Sequence, residues 1–355
     1  MNAVLESTTP AALEPPPKFV IPEMLKAIRP RINTSYPYIK RLHAQWLYEN
    51  YGKPEPGSLH GAIERMDSLY DASVFPDGIP ERVAHHASIL TLIFQCDDLT
   101  TSDPEQCAKI IAEDPDAHDA RVMEGLWQTI RQHAPSDAVY QRLRGRWTRW
   151  MHHLKVEKEF RDNWANEDME SFLKVRLMSS GMQPYIAAME YVLDIDVSDL
   201  IEDPDMKRAV DLVSWHCAFT NDVYSYAVEY YSTEDTLSSV LIMRNTRGLD
   251  AQQAISAVCE MMEEMYAELA GLIARLHERY ANHPLGARLH LYLDTYLLMV
   301  VGTLQWHIES PRYGGHGHIW NGLPMRHVDV SLAGTDKMEG AGAPQQAPVG
   351  SVYVS

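Results

Sequence analysis

The chain has 355 residues, of which 45% are hydrophobic and 23% are charged, a composition typical of globular proteins. Its formal net charge is −18, and a surface this acidic repels nucleic acid and anionic lipid headgroups, which excludes both as expected partners. An anionic substrate would need a metal ion or well-placed arginines to be held in such a protein.

The two ends of the chain differ from its middle. Residues 1–17 are rich in proline and residues 331–355 in Ala, Gly and Pro, so both are predicted to be flexible tails. The start lacks the basic and apolar parts of a signal peptide, and no apolar run approaches the ~20 residues of a membrane span, so we expect a soluble, cytoplasmic protein. Four widely spaced cysteines are predicted to stay reduced: Cys96, Cys107, Cys217 and Cys259.

The middle of the chain reads as one helix after another. Apolar residues recur at intervals of three and four in five long segments, at 21–32, 85–96, 211–231, 254–280 and 286–306. Breaks that contain proline separate the helical segments, among them Asp103-Pro104 and Asp203-Pro204, and alternating strand patterns are lacking. The sequence therefore predicts an all-α fold with a single domain over residues 18–330.

The first candidate site lies in FQCDDLTTSD, at residues 94–103. Asp97 and Asp98 are expected to end a helix that begins near His86, and two adjacent carboxylates repel each other unless a cation lies between them. The alternative is a helix that simply ends in solvent.

Arg176 is a further candidate residue. It is either an interior cation that faces the same pocket as the two candidate motifs or an ordinary surface arginine.

The second candidate site is NDVYSYAVE, at residues 221–229. Asn221, Ser225 and Glu229 differ by about 40° per step of four residues, so their side chains share one helix face. Their amide, hydroxyl and carboxylate oxygens are ligands that suit Mg²⁺ or Mn²⁺ better than zinc. Asp222 beside them could orient the ligands. A solvated helix face is the competing interpretation. The segment is otherwise apolar on all sides, however, which favours a functional role for the polar stripe formed by Asn221, Ser225 and Glu229.

The third candidate site is the PRY sequence at residues 311–313. Arg312 offers a guanidinium fork and Tyr313 a phenol, both suited to phosphate oxygens, while a structural ion pair is the alternative. His316 and His318 in the following loop, and the pairs His85-His86 and His152-His153, are only weak candidates for a zinc site.

Together these motifs resemble the class I terpene synthases, in particular their single-domain microbial type. In that family an aspartate-rich motif and an N-D-x-x-S-x-x-x-E motif face each other across a helical bundle or barrel with a central apolar pocket. In this chain the first motif is represented by Phe94, Asp97 and Asp98, and the second is complete as Asn221, Asp222, Ser225 and Glu229. Arg176 stands at the place of the family's diphosphate-sensing arginine, and a third family motif near the end of the chain is represented by Trp306, Arg312 and Tyr313.

The resemblance implies an enzyme that ionises a linear isoprenyl diphosphate and converts the carbocation to a terpene. Three Mg²⁺ ions, for which Mn²⁺ could substitute, would be held by residues of the two motifs, with Asp98 in this set. Farnesyl diphosphate is the leading substrate, followed by geranyl and geranylgeranyl diphosphate. The diphosphate would contact Arg176, Arg312 and Tyr313. The expected pocket wall consists of Phe94, Trp306, Thr91 and Ser180, and a homodimer is compatible with the resemblance.

Three positions depart from the family pattern. Thr101 or Ser102 stands where a further acidic residue usually closes the aspartate-rich motif, Val228 replaces a basic residue before Glu229, and Thr91 replaces an aromatic residue. A chain-elongating prenyltransferase is disfavoured because the second motif is not aspartate-rich. A catalytically degenerate helical scaffold is the remaining alternative.

Overall fold

Prolines and acidic caps set where the helices of the computed structural model begin. Pro80, Pro104 and Pro204 each occupy the first turn of a helix, where the missing backbone N–H costs nothing. Asp103 and Asp203 precede two of these helices, and each carboxylate accepts a hydrogen bond from a backbone N–H of the first turn. The breaks that the sequence predicts at Asp103-Pro104 and Asp203-Pro204 are therefore confirmed.

The structure describes residues 19–25, 29–52, 66–229, 236–313 and 329–330, with only the backbone of residues 98, 100–102, 154, 155, 158, 227, 228, 329 and 330. The α-helices of these residues are α1 (Tyr36–Tyr51), α2 (Asp67–Val74), α3 (Pro80–Ser102), α4 (Pro104–Ile111), α5 (His118–His133), α6 (Asp137–Asn163), α7 (Met169–Ser179), α8 (Met182–Val192), α9 (Pro204–Val228), α10 (Ser239–Arg247), α11 (Ala251–Arg279) and α12 (Ala287–Glu309). Short 3₁₀ turns cover Trp164–Asn166 and Pro311–Tyr313. Two-residue strands β1 (Phe19–Val20) and β2 (Asp329–Val330) pair antiparallel. The all-α class is confirmed.

One predicted helix is wrong in its described part. Residues 21–25 and 29–32 form no helix. Leu25 adopts a positive φ of 56°, which is not helical, and its N–H donates to Glu263 Oε1 of α11 at 2.7 Å. Pro22 and Pro30 interrupt any continuous helical hydrogen bonding, which explains why apolar spacing misled the prediction.

Helix α9 lies at the centre of the bundle. It packs against α7, α8, α10, α11 and α12. Buried apolar residues of the described chain form one continuous cluster from Phe19 to Tyr313. All four cysteines are buried and free, as predicted. Within the described residues, no helix combines the length and apolar character that a bilayer crossing requires.

The domain limits of 18–330 stay a prediction. Residues 1–17 and 331–355, expected to be tails, lie outside the described residues, as do His316 and His318.

Candidate active site

A pocket of about 960 Å³, part of it open to solvent, lies among α3, α6, α7, α8, α9 and α12. Apolar and aromatic side chains form one part of its lining: Tyr70, Leu90, Ile93, Phe94, Trp150, Met182, Tyr185 and Trp306. Charged and amide side chains form another: Asp97, Glu157, Arg161, Arg176, Asn221, Glu229 and Arg312. A pocket with an apolar body and a cluster of charges suits an amphiphilic ligand with an anionic end.

The polar stripe of α9 contributes two of these residues. Glu229, just past the end of the helix, and Asn221 both line the pocket. The Ser225 hydroxyl lies between them, 2.8 Å from Glu229 Oε2 and 2.7 Å from the Asn221 carbonyl oxygen. The helix therefore brings the three residues together on one face, as their spacing predicts.

These three residues fit a divalent cation of the hard type. The Asn221 amide nitrogen donates a hydrogen bond to the Tyr313 hydroxyl at 2.9 Å. This contact orients the amide, and the amide oxygen takes no part in it. The Ser225 hydroxyl donates its proton within the stripe and keeps oxygen lone pairs, and Glu229 supplies a carboxylate. An all-oxygen set of this kind matches Mg²⁺ or Mn²⁺. No cluster of three or more His, Cys, Asp and Glu with metal-binding geometry occurs among the described residues, so an acidic or zinc-type cage is not part of the described site.

Asp222 faces away from this stripe. It is fully buried, its Oδ1 accepts a hydrogen bond from Arg176 Nη2 at 2.6 Å, and its Oδ2 accepts one from the Ser239 N–H at 2.9 Å. Asp222 thus anchors Arg176 and the start of α10 instead of orienting Asn221 or Glu229. That corrects the expectation that it supports the metal ligands.

Arg176 is an interior cation, not a surface residue. It is 8% exposed and lines the pocket. Burial by itself lowers the pKa of its guanidinium, but the attraction of Asp222, followed by that of Glu157, outweighs burial and raises the pKa above its ordinary value. The side chain is held charged at the pocket, where an anion can contact it.

The aspartate-rich motif lies within α3, not at its end. Helix α3 runs from Pro80 to Ser102, so Asp97 lies more than one turn before its last residue, and the predicted helix end there is wrong. Asp97 is exposed and lines the pocket. The side chains of Asp98 and Thr101 lie outside the described residues, as does that of Val228.

The C-terminal motif closes another side of the pocket. The Arg312 guanidinium carbon lies 4.8 Å from the centre of the Phe94 ring, a cation–π contact, and the Trp306 ring stacks near Phe94 at 6.2 Å. Tyr313 is buried and holds Asn221 through its hydroxyl. The PRY sequence is thereby joined to both motifs of the site.

Of the expected wall residues, one is misplaced. Phe94, Trp306 and Ser180 line the pocket, but Thr91 does not. The Thr91 hydroxyl is buried on the side of α3 that faces α1 and α2, where it lies 3.1 Å from Asp67 Oδ2 and 3.0 Å from His43 Nε2. Thr91 is therefore a structural residue of the core, and the prediction that it forms the wall is wrong.

Several pocket residues were missed by sequence reasoning. Glu157 and Arg161 come from α6, and Tyr70 and Tyr185 from α2 and α8. The Tyr185 hydroxyl donates to buried Asp71 Oδ2 at 2.9 Å, which fixes the ring at the pocket. No local motif marks these residues, and the only signal was a charge pair spaced four apart in α6, a common surface pattern.

His85 and His86, adjacent in sequence, contact different partners. His86 Nδ1 contacts Asp71 at 2.5 Å and His85 Nδ1 contacts the Tyr191 hydroxyl at 2.8 Å, in separate surroundings. His307 lines the pocket, and burial lowers its pKa to about 3, so it is neutral near pH 7.

The sequence of this chain is similar to a known protein family. A profile described as terpene synthase family 2, C-terminal metal binding, matches residues 47–268. Sesquiterpene synthase 1 of Postia placenta is 32% identical over 165 residues, which is 44% of this chain and 45% of that protein. Sesquiterpene synthase 6 of the same organism is 26% identical over 294 residues, 76% of this chain and 83% of that protein. The first of these matches spans less than half of the relative's length.

Solved structures share the fold. Germacradien-4-ol synthase from Streptomyces citricolor superposes with a TM-score of 0.67 at 20% identity, covering 81% of this chain and 98% of that chain. An α-eudesmol synthase superposes with a TM-score of 0.70 at 15% identity over the same shares. At such identities the likeness concerns the fold alone. Since the family profile covers more than half of the sequence, the chain belongs to the class I terpene synthases of family 2.

Proposed function

We propose that this protein ionises a linear isoprenyl diphosphate in a Mg²⁺-dependent reaction and converts the resulting carbocation to a terpene hydrocarbon or alcohol, with release of diphosphate. The observation that carries the proposal is the arrangement of Asn221, Ser225 and Glu229 on one face, in a pocket that also receives Arg176 and Arg312. Metal ligands and guanidinium groups in this pocket can bind an anionic leaving group, and the apolar part of the same pocket can bind a hydrocarbon chain.

The metal-binding residues would be Asn221, Ser225 and Glu229, with Asp97 and Asp98 from the opposite motif. Mg²⁺, with three ions expected and Mn²⁺ as a substitute, would supply the positive charge that stabilises the departing diphosphate. The net charge of −18 favours such a recruited cation, because the protein as a whole repels a polyanionic substrate.

The residues of the chain itself would do the remaining work. Arg176, held charged by Asp222, and Arg312 would bind diphosphate oxygens, and Tyr313 would donate its hydroxyl to one while keeping Asn221 in place. Phe94, Trp306 and the other aromatic rings of the pocket would exclude water and stabilise a carbocation, each by ~1–2 kcal/mol or more when desolvated.

Farnesyl diphosphate is the proposed substrate. Two of the relatives, from Postia placenta, are named sesquiterpene synthases, which supports a fifteen-carbon chain. Geranyl and geranylgeranyl diphosphate are the alternatives. A homodimer remains a prediction from the resemblance.

The test is incubation of the purified protein with each of the three diphosphates and Mg²⁺, followed by gas chromatography–mass spectrometry of the extract. We expect terpene products from farnesyl diphosphate, lost on chelation of the metal. The double variant Asn221→Ala with Glu229→Ala should lose product formation by more than about a hundredfold, since each removes an interaction with the charged transition state.

A matched double variant controls for the loss of an amide and a carboxylate from a helix. Gln45 and Glu49 are hydrogen-bonded four residues apart on exposed α1, at 2.7 Å, and their replacement by Ala should leave product formation unchanged. Absence of product from all three substrates would favour the degenerate scaffold, and full activity of the Asn221/Glu229 variant would contradict the metal-site assignment.

A further inference from the structure

Three arginines line the pocket among its described residues: Arg161, Arg176 and Arg312. The sequence motifs account for the last two only. Arg161 belongs to the last turn of α6, outside every motif. Its side chain is 29% exposed, compared with 10% for Arg176, so its guanidinium is the more accessible of these two to a ligand.

The backbone position of Arg161 is fixed at the charged end of the pocket. Its carbonyl oxygen accepts a hydrogen bond from the Thr236 hydroxyl at 3.2 Å, which joins the end of α6 to the chain shortly after Glu229. Leu237 and Glu229 line the same pocket. Arg161 therefore faces the pocket beside the metal-ligand stripe, not at its apolar end.

A buried carboxylate aligns Arg161 with Arg176. Glu157, 3% exposed, accepts a hydrogen bond from Arg161 Nη1 at 3.0 Å, and its other oxygen lies 3.8 Å from Arg176 Nη1. A guanidinium carries five N–H groups in a fixed fork, so a contact through one edge still orients the others. The carboxylate can therefore hold both cations toward the pocket.

The sequence lacks a cation at a place where the family has one. Position 228, directly before Glu229, commonly carries a basic residue in the class I terpene synthases, and here it is Val228. We propose that Arg161 supplies the missing contact and binds the diphosphate group from α6. This inference rests on the proposed function for the identity of the substrate, but the binding of the diphosphate group itself can be measured separately.

The experiment is isothermal titration calorimetry of the full chain with inorganic pyrophosphate in the presence of Mg²⁺. Arg161→Gln should weaken pyrophosphate binding about tenfold or more, as expected for loss of a hydrogen bond to a charged group. Arg161→Lys, which keeps the charge but not the fork, should bind with intermediate affinity. Thermal unfolding of each variant verifies that it folds.

Two control variants separate binding from other roles. Arg149→Gln removes the same charge from an exposed position on α6 outside the pocket, and its affinity should match that of the wild type. Glu157→Gln keeps an oxygen that can accept the Arg161 hydrogen bond and removes a negative charge from the site, so it should keep or tighten pyrophosphate binding. If Arg161 only positions Glu157, then Glu157→Gln and Arg161→Gln will weaken binding to the same extent, and the inference is overturned.

Product formation from farnesyl diphosphate, measured on the same proteins, tests the proposed function separately from the assignment of Arg161. If the wild type forms no product but Arg161→Gln still loses pyrophosphate affinity, the proposed function fails and the assignment of Arg161 stands. If the wild type is active and Arg161→Gln binds pyrophosphate as tightly as the wild type, the assignment of Arg161 fails alone. A wild type that binds no pyrophosphate with Mg²⁺ also overturns the assignment.

Discussion

Among the described residues of the site, Arg176 and Asp222 form the most deeply buried ion pair, and its removal should be costly. Asp222→Asn keeps the size of the side chain and an oxygen for the Ser239 N–H, but it removes the negative charge that faces Arg176 at 2.6 Å. The guanidinium would then remain in the interior without its main partner.

The magnitude follows from burial. Asp222 is 0% and Arg176 8% exposed, and breaking a buried pair by removal of one partner costs about 3–5 kcal/mol. Glu157, 3.8 Å from Arg176, offsets part of this cost. We therefore expect the free energy of unfolding to fall by about 3 kcal/mol, at the lower end of that range.

Urea unfolding followed by circular dichroism measures this loss. Glu170→Gln serves as the control, because Glu170 and Lys174 form an ion pair of 2.7 Å with both side chains more than 70% exposed, and its loss should leave the free energy of unfolding nearly unchanged. Adding Arg176→Met to Asp222→Asn should restore part of the stability, since the unpaired charge is then gone. An Asp222→Asn variant within about 1 kcal/mol of the wild type would refute the reasoning.

Two further predictions concern packing and pH. Gly302→Ala should destabilise the protein by about 1–3 kcal/mol in the same urea assay, because a Cβ at this point of α12 would lie 2.4 Å from the Ser73 carbonyl oxygen of α2; unchanged stability would contradict this close packing. His216 and His307 are buried, and burial lowers the pKa of each to about 3 from 6.5. Between these values the unfolded chain binds protons that the folded chain does not, so stability should fall as pH decreases from 6.5, by up to about 1.4 kcal/mol per pH unit for each histidine. His216→Asn should reduce this slope between pH 6 and pH 5 by about 1 kcal/mol per pH unit, whereas an unchanged slope would show that His216 takes up a proton in the folded state.

Local signals in the sequence predicted most of the fold. Pro104 and Pro204 marked helix starts correctly because the constraint that proline imposes is local, whereas α3 begins at Pro80 and not near His86 as predicted. Residues 21–32 have helical apolar spacing, but the described part of this segment forms no helix. Ile21, Met24 and Leu25 are buried in the core, and the Leu25 N–H contacts Glu263 of α11. Tertiary contacts, which a single segment does not reveal, decided that case.

The site was predictable to the extent that its residues share one helix. Asn221, Ser225 and Glu229 are related by helical periodicity alone, and the structure brings them together. The role of Glu157 and Arg161 depends on their position relative to Arg176, a residue on another helix. Thr91 contacts Asp67 because of how α3 packs against α2. Such relations depend on how helices are placed against each other, which the spacing of residues within one helix does not contain.

The measurement that tests the central claim most directly is a crystal structure of the protein grown with Mn²⁺ and pyrophosphate, with the metal located by anomalous scattering. The account predicts an Mn²⁺ peak bonded to Asn221 Oδ1, Ser225 Oγ and the Glu229 carboxylate, at about 2.0–2.3 Å, as is usual for hard cations with oxygen ligands. Pyrophosphate should bridge from this metal to the pocket arginines. Metal and pyrophosphate bound elsewhere, with the stripe of α9 empty, would contradict the account.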